Sequence, residues 1–133
     1  MPPMLRTLLI SLLALGLAAC TSKPVLTPQQ MVPHSQPYSD AQLQRAILAA
    51  LSQRGWTVDQ IKPCTVSASI TVRGRHHAEI DVVYNPSTYL IRYRDSRALD
   101  YKDGKIHRNY NRWVNNLSQS ILKELQLAQT RQD

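Results

Sequence analysis

Between Thr65 and Arg94 the chain alternates apolar and polar residues with a period of two, and on both sides the apolar period lengthens to that of a helix. This change constrains the fold more than any other feature, because a strand turns a new face at every residue while a helix returns to its face every three or four. Val66, Ala68, Ile70 and Val72 share one face of a strand, and Thr65, Ser67, Ser69 and Thr71 the other. Ala78, Ile80, Val82 and Tyr84 alternate with His77, Glu79 and Asp81, and Tyr89, Ile91 and Tyr93 alternate with Leu90, Arg92 and Arg94. A one-residue slip turns every apolar side chain outward, so parity tests the register. Pairing Tyr84 with Tyr89 sets Val82 opposite Ile91 and Ile80 opposite Tyr93 on the core face. The same register sets Asp81 against Arg92 and Glu79 against Arg94 outside, pairs that contribute roughly 0.2–1 kcal/mol each. In the preceding hairpin parity predicts Val72 opposite Ala78, with Gly74-Arg75-His76 as the loop and a positive φ available at Gly74.

The flanking segments carry helix signals. Ser39 is an N-cap with Gln42 at N3, and Tyr38 and Leu43 are placed for a hydrophobic staple. Leu43, Ala46, Ile47, Ala50 and Leu51 form one stripe, and Gly55 suits the C′ position, which predicts a helix over 40–54. After it, Trp56 and Val58 begin a first strand that ends before Pro63. Beyond a loop at Lys102-Asp103-Gly104-Lys105, the residues Tyr110, Trp113, Val114, Leu117, Ile121 and Leu125 fall on one face of a closing helix. Asn109 or His107 lies at its start, and its end frays from Gln126 onward. With one apolar stripe per helix and one apolar face per strand, the expected fold is α+β. It is a two-layer sandwich in the order α-β-β-β-β-α, an antiparallel sheet of three to four strands with both helices on one face.

The N-terminal part is of another kind. Arg6, an apolar run from Leu8 to Leu17 and small residues after it make the pattern of an export signal, too short for a membrane span. Leu17-Ala18-Ala19-Cys20 resembles the lipobox of bacterial lipoproteins. That resemblance implies cleavage before Cys20, a diacylglyceryl group on its sulfur and an acylated amine, several chains anchoring more firmly than one. Thr21 stands where an aspartate commonly signals inner-membrane retention, so the implied location is the outer membrane with the domain facing the periplasm. The inner membrane and the cell surface stay open. Four prolines between residues 21 and 37, set among Thr, Ser and Gln without an apolar period, predict an extended spacer. The expected organisation is therefore a signal peptide over 1–19, lipidated Cys20 and tether over 20–38, a globular domain over 39–128 and a polar tail over 129–133.

With Cys20 lipidated, Cys64 has no intrachain partner; next to Pro63 it is expected to be a small buried thiol. The net charge of +7 becomes +6 when the single Arg6 is removed (7 − 1). A basic domain outside the cytoplasm is drawn to lipid headgroups, lipopolysaccharide phosphates or acidic wall polymers, and nucleic acid is a poor partner there. Arg73, Arg75, Arg92 and Arg94, with Arg97, are a candidate anion-binding surface; a solvated, salt-bridged face is the plainer reading. His76, His77 and Glu79 invite a metal-dependent hydrolase, the weakest alternative, since a strand puts only His77 and Glu79 on one face. No Gly-rich phosphate loop, serine elbow or paired-carboxylate signature is present, and neither catalytic chemistry nor a cofactor is expected.

Tyr101, His107, Asn109 and Asn111 concentrate at the junction before the closing helix, either to hold the loop to the helix or to line a recognition groove. Arg54-Gly55-Trp56, Ile91-Arg92-Tyr93 with Ser96, Leu99 and Tyr101, Ile106-His107 and Tyr110-Asn111-Arg112-Trp113-Val114 together resemble small uncharacterised proteobacterial lipoproteins. The resemblance spans most of the mature domain and implies a fold without implying an activity. The functional expectation is a membrane-tethered, non-catalytic module that binds an envelope protein or another envelope component. Direct binding of an anionic glycolipid or wall polymer through the arginines is the alternative.

Overall fold

A computed structural model of the chain describes residues 21–32 and 38–131; residues 1–20, 33–37, 132 and 133 lie outside them, and with them the expected signal peptide, Cys20 and part of the expected tether. The elements are β1 (Ser22–Pro24), β2 (Gln29–Met31), α1 (Asp40–Gln53), β3 (Thr57–Lys62), β4 (Thr65–Val72), β5 (His76–Tyr84), β6 (Thr88–Arg97), β7 (Lys105–His107) and α2 (Arg108–Arg131). The architecture is the α+β sandwich. Its main sheet has five strands in the order β2-β6-β5-β4-β3, and β1 pairs with β7 in a two-stranded ribbon. The extra strands beyond the expected three to four are β2, β1 and β7.

Helix α1 forms where its caps dictate. The Ser39 hydroxyl accepts from the Gln42 amide at 3.1 Å and the Gln42 side chain accepts from the Ser39 amide at 2.8 Å, closing a capping box. At the other end Gly55 takes φ +78°, the Trp56 amide reaches the Leu51 carbonyl and the Gly55 amide the Ser52 carbonyl, a Schellman closure. Both helices and one face of the sheet bury a single core that includes Leu43, Ile47, Leu51, Val66, Ile80, Val82, Tyr89, Ile91, Val114, Leu117 and Ile121. Across it the buried Tyr89 hydroxyl meets the Ser118 carbonyl at 3.0 Å and the Ser118 hydroxyl at 2.8 Å, tying β6 to α2. Tyr38 donates to the Leu125 carbonyl and Arg54 Nε to Ser120 Oγ at 2.8 Å, tying α1 to α2. Helix α2 continues through Arg131 with Ala128 buried, so the fraying expected from Gln126 and the polar tail from 129 are corrected: an apolar i, i+3 step from Leu125 to Ala128 extends its buried stripe.

The β5–β6 register is Tyr84 to Tyr89, Val82 to Ile91, Asp81 to Arg92 and Ile80 to Tyr93, as parity required. A bulge then makes Glu79 face Asp95 rather than Arg94. The β4–β5 hairpin is two residues tighter than expected: Val72 faces His76 and Ala78 faces Ile70. Arg73 (φ 56°) and Gly74 (φ +65°) occupy its turn, closed by the Arg75 amide on the Val72 carbonyl at 3.2 Å. Two successive positive φ values match the twist of flanking strands, and parity cannot distinguish registers that differ by two. His76, expected in the turn, is therefore the first residue of β5. Cys64 is exposed rather than buried, because it follows Pro63 at the position of the β3–β4 turn that needs φ 60°.

The largest correction concerns the tether. Residues 22–32 lie along the domain instead of standing free. Ser22, Lys23 and Pro24 pair with His107, Ile106 and Lys105, and Gln29, Gln30 and Met31 pair with Leu90, Tyr89 and Thr88. Pro28 is buried and its carbonyl accepts from Ile91 at 2.9 Å, while Val32 is buried and donates to the Ser87 carbonyl. The physical reason is the edge of β6, whose unpaired amides and carbonyls accept an extended segment that needs no apolar period of its own. The prolines sit at its strand end and between its strands, where no ladder donor is lost.

Candidate functional site

Helices cover one face of the sheet, and the opposite face presents an ordered set of charges. Arg94 Nη2 lies 3.0 Å from Glu79 Oε1 and 3.4 Å from Asp59 Oδ2, and Nη1 lies 3.7 Å from Asp81 Oδ1. Arg92 approaches Asp81 at 3.6 Å, and Ser67 donates to Asp81 at 2.6 Å. Asp59 occupies a bulge of β3 and accepts from Ser69 at 3.0 Å. The bulges at Asp59 and beside Arg94 bring together groups that a regular ladder would hold apart. Arg94 thus still meets Glu79, by reaching across rather than facing it. The arginines of this face are matched by carboxylates of the same face, so Arg92 and Arg94 do not make a cationic patch.

The histidines divide between the faces. His77 Nδ1 is 2.8 Å from Thr71 Oγ1 and its Nε2 is 3.3 Å from Glu79, whereas His76 Nδ1 is 2.9 Å from the Ala98 carbonyl. Among the described residues no three His, Cys, Asp or Glu side chains gather as a metal-binding group.

Tyr101, His107, Asn109 and Asn111 do converge on the loop–helix junction, where polar atoms of His107, Asn109 and Asn111 hold the helix start and the strap and Tyr101 contributes its ring. His107 Nδ1 accepts from the Asn109 amide at 3.1 Å and caps α2. Asn109 Oδ1 accepts from Arg112 at 2.7 Å. Asn111 donates to the Pro24 carbonyl and accepts from the Leu26 amide, both at 2.9 Å, gripping the N-terminal strap by its backbone. Tyr101 stacks on Tyr93 with ring centroids 4.4 Å apart and planes 17° apart, and Tyr110 meets Tyr93 edge-on at 5.6 Å. Burial pushes the Tyr110 hydroxyl well above its ordinary pKa, with Tyr93 adding to the effect, so this residue is part of the core.

Among the described residues, two of the concavities lie on the helix side. One, about 280 Å³, runs between the helices past Gln42, Arg45, Glu124 and Arg131. The other, about 250 Å³, is lined by Gln53, Arg54, Trp56, Ile70, Trp113 and Asn116, and so holds both tryptophans of the chain. In the sequence Trp56 marks the start of a strand and Trp113 one face of the closing helix, and neither reveals the notch, because a stripe does not show where it ends.

Arg73 and Arg75 stand exposed at the β4–β5 turn without a side-chain partner among the described residues. That turn lies at the same end of the sheet as the C-terminal end of β6, since His76 faces Val72 in the register and its ring reaches the Ala98 carbonyl. Lys102, Lys105 and Arg108 follow at that end, all exposed, and the β1 residue Lys23 is brought to them by pairing with Ile106. Sequence reasoning separated these cations into a tether, a loop and a helix. The one signal joining three of them is the three-residue spacing of Lys102, Lys105 and Arg108. No family model matches the chain, and neither a curated protein nor a solved structure matches it.

Proposed function

We propose that the chain is a lipid-anchored envelope protein of the outer membrane whose folded part binds another envelope protein and performs no chemistry itself. The observation that carries this reading is the one-sided sheet, with helices on one face and charges of both signs held at defined positions on the other. Such a face suits recognition by complementarity, because correctly placed pairs favour one partner and like charges penalise others. The arginine-based alternative, an anionic polymer lying on the sheet, is the weaker of the two: Arg92 and Arg94 are matched by Asp59, Glu79 and Asp81. Among the described residues no helix is long and apolar enough to cross a membrane, and the lipid on Cys20 supplies the attachment in this reading.

Photoreactive residues placed singly at Ser69, Thr71 and Leu90 on the open face, and at Gln119 and Lys123 on exposed α2 positions, test the reading in intact cells. A protein adduct of one defined mass from the sheet positions, lost with Arg94→Glu, is expected. Adducts from the helix positions alone, or none at any position, overturn it.

A further inference from the structure

We infer that the end of the domain formed by the β1–β7 ribbon is a membrane-facing surface that lies against anionic lipid headgroups, so that the anchored domain rests on the bilayer in one orientation. The inference rests on the reading of Cys20 as the lipid-bearing residue and adds to it a surface and a posture.

Chain geometry is the first argument. Cys20 precedes Ser22 by two residues, and Ser22 is already paired with His107. Two residues reach at most about 7 Å even when fully extended. The backbone that carries a lipid on Cys20 is therefore tied within about 7 Å of the ribbon. The ribbon is fixed to the domain in turn: the Val25 amide bonds the Gly104 carbonyl at 2.9 Å, the His107 amide bonds the Leu99 carbonyl at 2.8 Å, and Asn111 holds Pro24 and Leu26. An anchor joined so closely to a folded element leaves little freedom for the domain to stand off.

Charge is the second argument, and it is independent of the first. Lys23, Lys102, Lys105 and Arg108 are all exposed, and none has a side-chain partner among the described residues. The turn from Lys102 to Lys105 is closed by reciprocal backbone bonds of 2.9 and 3.0 Å, with Asp103 at φ 51° and Gly104 at φ +74°, so the two lysines emerge side by side. Lys105 faces Pro24 and Arg108 follows His107, which puts all four around the first residues after the anchor. Arg73 and Arg75 extend the basic character across the same end of the sheet. Asp100 and Asp103 are the carboxylates in this loop, and the cations outnumber them. Two side chains suited to an interface accompany the charges: Tyr101, 48% exposed and next to Lys102, and Leu26, 39% exposed and held by Asn111. The paired arginines of the open sheet face have no such excess. The anion that best complements this end is the one the anchor brings within reach, the headgroup layer of the leaflet.

Binding of the exported full chain carrying Cys20→Ser to vesicles tests the surface without the lipid. Vesicles containing phosphatidylglycerol should retain it at low salt, vesicles of phosphatidylcholine alone should not, and high salt should release it. Each basic side chain near an anionic surface contributes about fivefold to partitioning, so Lys23→Gln/Lys105→Gln/Arg108→Gln should weaken binding on the order of a hundredfold. Arg45→Gln/Lys62→Gln/Lys123→Gln removes as many charges from elsewhere and should leave binding within a few-fold; thermal melts confirm that both variants fold. Equal losses in the two variants, or no preference for phosphatidylglycerol, overturn the inference. The mass of the N-terminal peptide of membrane-extracted protein reports the lipid separately. An unmodified Cys20 there overturns the anchor, whatever the vesicles show.

Discussion

Replacing Asn111 by alanine should release the N-terminal strap while leaving the rest of the domain folded. Asn111 makes two bonds to strap backbone, donating to the Pro24 carbonyl and accepting from the Leu26 amide, each 2.9 Å long. A hydrogen bond of this kind contributes about 0.5–1.5 kcal/mol net, and both bonds are solvent-exposed, so their joint loss should cost about 1–2 kcal/mol of local stability. At 1.4 kcal/mol per factor of ten, the opening constant of the strap should rise about 5- to 30-fold. Native-state hydrogen exchange resolves this, because the Leu26 amide loses its acceptor directly and the Val25 amide, bonded to Gly104, reports whether the neighbouring pairing opens with it. Both should exchange faster by similar factors, while amides of α2 near Ile121 stay unchanged. Asn111→Asp, which keeps an acceptor and loses the donor, should fall between. Unchanged exchange at Leu26 and Val25 would refute the clamp. An equal rise at Ile121 would show instead that the strap is not a separate cooperative unit.

Three further outcomes follow from the packing. Tyr89→Phe removes a hydroxyl that is buried against Ser118 and should lower stability by about 1–2 kcal/mol, measured as a lower denaturation midpoint at constant slope. Cys64→Gly relieves a non-glycine residue at φ 60°, a conformation that costs L-residues roughly 1–2 kcal/mol. Part of that gain is offset by the freedom glycine adds to the unfolded chain, so the net should be a rise of up to about 1 kcal/mol in the same assay. Burial raises Tyr89 and Tyr110 above their ordinary pKa of 10.0, so unfolded tyrosines ionise first as pH rises. The stability these groups contribute is complete below about pH 10 and declines above it, and a denaturation midpoint that stayed level through that range would contradict their burial.

Much of the sandwich was legible because its information is local. The capping box at Ser39 and Gln42, the glycine at C′ and the alternation in β4 to β6 each lie within a few residues of what they specify. What escaped depends on partners far along the chain or on geometry that parity does not resolve. The strap has no apolar period, since it is held by its backbone to β6, β7 and Asn111. The tightness of the β4–β5 hairpin escaped because registers two residues apart give the same faces. Glu79 and Arg94 were rightly associated but through a regular ladder, where a bulge instead swings Arg94 among three carboxylates. The candidate residues fared unevenly for the same reason. Side-chain type marked Tyr101, His107, Asn109 and Asn111 as polar-aromatic, but only the fold shows that His107, Asn109 and Asn111 direct their polar atoms to the helix and strap, and that Tyr101 lies on a tyrosine ring.

The pairing of the strap also bears on the order of events in folding. Strands β3 to β6 form a meander in which each neighbour follows directly in sequence, so their loops are short and close at little entropic cost. Asn111 bonds Pro24 and Leu26 across separations of 87 and 85 residues, and β1 finds its partner only in β7. The first residues of the domain to be made are thus the last to have something to pair with. The strap can settle only after α2 has begun and the β6 edge is complete, so it acts as a latch drawn over an assembled sheet. Until it closes, the strap is joined to the sheet only through the backbone that follows it, and the orientation of that end is fixed in the final step.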